Sequence, residues 1–148
     1  MKTDKPVVKD KIIIEKKGIL VPNPTRFWIL EKNFRKKISR LEEKGIINSL
    51  SKLITKNSTL FNYFLNLHFL EIKIREEILK KKYPHIYYTD TKQSKTIKNV
   101  LLNTGIGGIG NFQQKPFKVK CLHLWTAYHL GDKRFENPIG EYVLKNIK

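Results

Sequence analysis

One cysteine and one methionine are found in 148 residues. A single thiol excludes an internal disulfide and any metal site built from thiolates alone. Acidic residues are also scarce, at 13 Asp and Glu against 30 Lys and Arg. Among the basic residues arginine is the rare one, with only Arg26, Arg35, Arg40, Arg75 and Arg134. Proteins that read bases directly lean on the bidentate arginine fork, so the excess here is charge more than base readout. No apolar run approaches the roughly 20 residues that span a bilayer, and Lys73, Arg75 and Glu76 interrupt the best candidate. Met1 to Pro6 is basic, but no apolar core of the signal-peptide type follows it. A soluble cytoplasmic protein without a membrane partner is the expectation.

What remains is a lysine-rich chain with net charge +17 and enough apolar material, 40%, to build a core. Such a charge draws anions, and polynucleotides are the commonest large ones. A lysine-, isoleucine- and asparagine-biased composition accounts for the same charge without any partner. The length suits one domain over residues 1–148, with residues 1–5 expected to be disordered.

Val7 to Ile14 and Gly18 to Leu30 read as strands, joined at hairpin length by Glu15-Lys16-Lys17-Gly18. Pro22 and Pro24 cannot donate to a ladder, so the second strand is expected to bend, break or lie at an edge. Asn33 is the expected cap of a helix through Glu43 that Gly45 ends. In it Phe34, Ile38 and Leu41 share an apolar face, while Lys36, Lys37, Arg40 and Lys44 project elsewhere. That basic side is either a phosphate-contacting surface or ordinary solvated helix. A short helix over Ile46 to Thr55 and a long one from Ser58 to about Lys82 follow. The first half of the long helix is apolar all round, which predicts a central position, with His68 as a satisfied core histidine. Tyr83 to Tyr88 reads as an aromatic loop, stacked on bases or packed over the helix end. Gln93 to Leu102 predicts another helix. The resulting fold class is α+β, a small N-terminal antiparallel sheet of two or three strands packed against five or six helices.

The stretch from Gly105 to Leu130 is the densest in possible chemistry. Gly105-x-Gly107-x-x-Gly110 matches a dinucleotide fingerprint only formally, since a helix rather than a strand precedes it. Its glycines still permit backbone amides to converge on an anion, or simply let the chain pass close to a packed helix. The next helix is predicted from about Lys118 to Leu130, stopped by Gly131. Lys118 and Lys120 in its first turn would oppose the helix dipole unless they share an anion with the free amides. Gly105, Gly107, Gly108, Gly110, Lys118, Lys120 and Arg26 are therefore the candidate anion ligands.

Cys121 and His123 are the candidate catalytic or metal-binding pair. Two positions apart on an α-helix diverge by about 200°, so they meet only if Cys121 lies in extended chain before the helix. Zinc needs a third protein ligand as a rule, and the pair alone is not a metal site; His68, His85 or His129 would have to join it. As a nucleophile pair, the imidazole would act as base for the thiol. The bland alternative is that Cys121 is a small buried hydrophobe. After Gly131, Asn137-Pro138-Ile139-Gly140 is a turn that launches a final helix.

Several of these segments occur together in a known order. Pro24-Thr25-Arg26-Phe27-Trp28-Ile29-Leu30, Ile38-Ser39-Arg40-Leu41-Glu42, Gly105-Ile106-Gly107-Gly108-Ile109, Lys118-Val119-Lys120-Cys121-Leu122-His123 and Asn137-Pro138-Ile139-Gly140 resemble the bacterial domain-of-unknown-function family 501. The resemblance implies a small cytoplasmic bacterial domain and supplies no established reaction. The resemblance also implies that members usually carry further cysteines, one near the N-terminus and one just after the Phe-Trp strand, where this chain has Glu31-Lys32-Asn33. Cys121 and His123 are the matched positions that remain. The expected function is non-catalytic binding of a phosphate-bearing partner, RNA, DNA or a phosphorylated ligand, with no cofactor. The alternatives are an enzyme using Cys121 and His123 on a phosphorylated small molecule, and a protein–protein adaptor.

Overall fold

Lys17 and Gly18 both have positive φ, 52° and 78°, the signature of a two-residue turn whose twist matches its flanking strands. In the computed structural model, which describes residues 6–147, this turn joins β2 (Ile13–Lys16) to β3 (Ile19–Pro22). They pair antiparallel, Ile14 opposite Val21 and Lys16 opposite Ile19. A second two-stranded ribbon pairs β1 (Val7–Lys9) with β4 (Phe27–Ile29), Val8 opposite Trp28. The expected single sheet is therefore two antiparallel ribbons, because the predicted second strand breaks between Pro22 and Phe27. Seven α-helices follow among the described residues, so the α+β class holds. The expected disorder over residues 1–5 concerns residues outside the described ones.

The chain divides into two compact units. The first comprises residues 1–10, 27–62 and 115–148; the second comprises residues 11–26 and 63–114. In the first unit lie the β1–β4 ribbon, α1 (Lys32–Glu42), α2 (Ile46–Lys56), α6 (Leu122–Gly131) and α7 (Pro138–Asn146). The cap of α1 lies two residues before the expected one: the Glu31 carboxylate accepts from the amides of Asn33 at 2.8 Å and Phe34 at 2.9 Å. Gly45, in the left-handed region at φ 78°, turns the chain into α2.

Helix α6 is the central helix of this unit. Leu122, Leu124, Trp125, Thr126, Ala127 and Tyr128 are all buried, and α6 packs on α7, α1, β1 and β4. Phe27 and Phe135 both meet Tyr128 edge-on, with centroids 5.0 and 5.2 Å away. Gly131 is a glycine because a Cβ there would lie 2.4 Å from the Phe27 ring. The Asn137-Pro138-Ile139-Gly140 turn is explained in the same terms. Asn137 Oδ1 caps α7 by accepting from Gly140 N at 2.9 Å, and Asn137 Nδ2 donates to the carbonyls of Trp125 and Phe135. His129 Nδ1 accepts from Asn137 N at 2.9 Å, and a Cβ on Gly140 would stand 2.4 Å from His129.

Helix α3 (Ser58–Lys82) begins in the first unit and continues through the second. It buries one stripe, with Phe64, Leu67, His68, Glu71, Ile74, Arg75 and Leu79 buried and Tyr63 and Phe69 exposed. The expected all-round burial fails because its phenylalanines and leucines spread past the width of that stripe. In the second unit Ile12, Ile13, Leu79, Ile86, Ile97 and Leu101 form a core. Ile86 belongs to α4 (Pro84–Tyr87) and the last two to α5 (Lys92–Asn103). The aromatic stretch is thus a helical turn, and Tyr87 donates to Glu76 at 2.7 Å.

Candidate functional site

The expected helix start at Lys118 is displaced to Leu122, and this rearranges the chemistry around it. Phe117 is pinned first: its amide donates to Thr55 Oγ1 at 2.8 Å, and its carbonyl accepts from Ser51 Oγ at 2.5 Å. Val119 is buried and its carbonyl accepts from Trp125 Nε1 at 2.7 Å. Lys120 then takes φ 69°, a conformation that costs a non-glycine residue about 1–2 kcal/mol. Across it Cys121 N donates to Val119 O at 2.8 Å. Lys118 and Lys120 are exposed and precede the helix, so the conflict with its dipole does not arise.

The first amide of α6 is instead satisfied by a carboxylate from α1. Leu122 N donates to Glu42 Oε2 at 2.7 Å. That position suits an anion, because free amides and the positive end of the dipole converge on it. Cys121 is the helix cap, with extended φ −157° and ψ 156° and no side-chain cap bond of its own. This is the one backbone state in which Cys121 and His123 can converge. They do, and Glu42 joins them: one ligand atom from each of Glu42, Cys121 and His123 lies within 4.8 Å of the others. All three are half-buried.

His123 is held from two sides. Its Nε2 lies 3.1 Å from the Arg35 carbonyl and 3.3 Å from Ser39 Oγ. Its Nδ1 lies 3.3 Å from Glu42 Oε2. Hydrogen bonding with Cys121 raises the imidazole above its ordinary value. The Arg35 carbonyl and the Glu42 charge act in the same direction, and burial opposes them. Arg35, Ser39 and Glu42 form an i, i+4, i+7 stripe on α1, which presents one face to His123.

The opposite face of α1 is cationic. Lys37, Arg40 and Lys44, the last in the turn after the helix, line a cleft of about 200 Å³ with Leu41, Asn146 and Ile147. All three cations are exposed. A larger cleft of about 390 Å³ in the same unit has one lysine, Lys9, and one acid, Asp132, in a lining otherwise of Pro6, Val7, Phe27, Leu130 and Gly131. It gathers no charge of one sign.

The remaining candidate residues lie in the second unit and are occupied by its architecture. Arg26 is 1% exposed. Its Nε donates to both Glu71 oxygens at 3.0 and 3.1 Å, and its Nη2 donates at 2.7 Å. A solvent anion does not reach it, which corrects its assignment as an anion ligand. Arg75 also meets Glu71, and its other nitrogens donate to the carbonyls of Leu101, Thr104, Pro24 and Gly105. The glycine loop is tied at both of its first residues, since Ile106 N donates to His68 Nδ1 at 3.0 Å. A Cβ on Gly105 would lie 2.2 Å from that same nitrogen, and Gly107 and Gly108 sit at positive φ in a short 3-10 turn. Gly110 is exposed. These glycines allow close passage past His68 and a tight turn.

His68 and His129, two proposed partners for the Cys-x-His pair, have their Nδ1 atoms bonded to Ile106 N and Asn137 N. The third member of the cluster is Glu42, which sequence reasoning missed along with Ser39 and Arg35. The only sequence signal was their stripe on a predicted helix, and a stripe does not name the element it will face.

No curated protein and no solved structure matches the chain. A family model does match, over residues 3–145, and on that extent the chain belongs to DUF501, a family of proteins of unknown function.

Proposed function

We propose that this protein binds a phosphate-bearing partner in the bacterial cytoplasm without catalysis, RNA or DNA being the leading class. The observation that carries the reading is the cationic face of α1, where Lys37, Arg40 and Lys44 converge on one cleft. The net charge of +17 supplies the long-range attraction. Lys118 and Lys120, both exposed, are proposed as further phosphate contacts. Relative to the sequence reading, the contact surface moves from the glycine loop to α1, because the loop is held by His68 and Arg75.

Fluorescence anisotropy with short RNA and DNA over a series of salt concentrations tests this. Each phosphate neutralised on duplex DNA contributes about 0.9 to the slope of log K against log salt, so replacing Lys37, Arg40 and Lys44 together by alanine should lower it by about 2.7. Negligible affinity for both polymers at low salt removes the reading. Capture of a protein partner that nuclease does not disturb would favour an adaptor instead.

The convergence of Cys121 and His123 supports a second reading, chemistry by these residues on a phosphorylated small molecule. An activated thiol alkylates rapidly near neutral pH. A Cys121 that reacts only after unfolding would remove that second reading.

A further inference from the structure

The arrangement of Arg35, Glu42, Cys121 and His123 carries more than a hydrogen-bonded pair. A backbone carbonyl can only accept, so the 3.1 Å contact from Arg35 O places the ring hydrogen of His123 on Nε2. Nδ1 is then the nitrogen that presents a lone pair. It faces Glu42 Oε2 at 3.3 Å, an oxygen already accepting from Leu122 N. With the ring neutral, Nδ1 and Oε2 are two acceptors at that distance beside a thiol, an arrangement that either a proton on Nδ1 or a bound cation would bridge.

We infer that Glu42, Cys121 and His123 form a three-ligand site for a borderline-soft divalent cation, with zinc the best match, and that the fourth position is open to water. Thiolate, imidazole and carboxylate together select zinc over magnesium and calcium, which take oxygen ligands. The spacing fits as well. Zinc bonds of the usual lengths at tetrahedral angles put a nitrogen and an oxygen ligand about 3.4 Å apart, and sulfur about 3.6 Å from either. The observed Nδ1–Oε2 separation is 3.3 Å. The remaining separations, at most 4.8 Å, need only about 1 Å of closing to reach those values.

The surroundings resemble a prepared outer sphere. Metal-bound histidines donate their other N–H to a carbonyl or carboxylate, which fixes the ring, and Arg35 O and Ser39 do this here. Leu122 N orients the carboxylate in the same way. The half-buried ligands leave a route for the ion and a coordination position for solvent. The ordinary alternative is that Glu42 only caps α6 and pairs with His123, with no metal involved.

Cobalt separates the two. Full-length protein, reduced and freed of metal by a chelator, is titrated with Co²⁺. The proposal expects a sulfur-to-cobalt charge-transfer band in the near ultraviolet, saturating at one equivalent and abolished by one equivalent of Zn²⁺. Competition with a chromophoric chelator should then show Zn²⁺ affinity falling at least tenfold in His123→Gln and in Glu42→Gln, and unchanged in His85→Gln. Absence of the charge-transfer band in the unaltered protein at excess Co²⁺ overturns the proposal, and that measurement needs no variant to fold. Zinc affinity unchanged in folded His123→Gln and Glu42→Gln, checked by circular dichroism, overturns it equally.

Discussion

Lowering the pH from 7 to 5 should destabilise the protein through His68, and the size of the loss follows from its surroundings. The ring is 1% exposed and stacks on Phe112 at 4.7 Å. Its Nδ1 accepts from Ile106 N, which it can do only while that nitrogen is unprotonated. Burial, with the nearby Arg75 charge as the lesser cause, holds its pKa down to about 3 from the usual 6.5. As pH falls, the unfolded chain therefore takes up this proton first. The stabilisation is complete above 6.5 and is lost through the window from 6.5 down to about 3. Between pH 7 and pH 5 the loss comes to about 2 kcal/mol. Urea unfolding at pH 7, 6 and 5 measures it, and His68→Asn keeps an acceptor for Ile106 N while removing the titration. Carboxylates titrate alike in both proteins, so the stability of the original minus that of the variant isolates the histidine. A difference constant to within about 0.5 kcal/mol over those pH values would refute the reasoning.

Two further variants probe the same unit. Gly105→Ala places a methyl 2.2 Å from His68 Nδ1, and overpacking of this kind should cost about 1–3 kcal/mol in urea unfolding. If the glycine serves close passage, His68→Ala in the same chain should recover part of that loss; strict additivity would argue against it. Glu71→Gln leaves Arg26 and Arg75, both buried, without their carboxylate. Breaking a buried ion pair from one side costs about 3–5 kcal/mol, and a loss under about 1 kcal/mol would contradict the account of this network.

Local signals carried much of the fold. The Lys17-Gly18 turn, Gly45 after α1 and Asn137-Pro138 before α7 appear where their side chains and backbone preferences place them. Those features depend on a few neighbouring residues, and such preferences act without tertiary help. One error was local, and the others arose where a distant group replaced a local one. Asn33 has the better capping side chain, yet Glu31 caps α1 from two residues earlier. Leu122, not Lys118, begins α6, with Glu42 accepting from its amide from 80 residues away. Arg26 read as an exposed cation because nothing near it in the chain signals Glu71, 45 positions on. A lysine-rich sequence makes any arginine look like part of a surface, and only burial separates the two.

The candidate site shows the same division more sharply. Convergence of Cys121 and His123 required extended chain at Cys121, and that condition is met because Glu42 satisfies the first amide of α6. One carboxylate thereby sets the helix start, frees Cys121 from the helix and stands beside His123. The residues that do this, Arg35, Ser39 and Glu42, lie on the side of α1 opposite Lys37, Arg40 and Lys44, since successive helical residues turn by about 100°. A single 11-residue helix so presents two unlike chemistries in opposite directions. Substitutions on the cationic side should alter salt-dependent binding and leave cobalt spectra untouched. Substitutions on the other side should do the reverse. Coupling between the two readouts would mean that the faces serve one ligand, whereas independence would make α1 a scaffold for two separate sites.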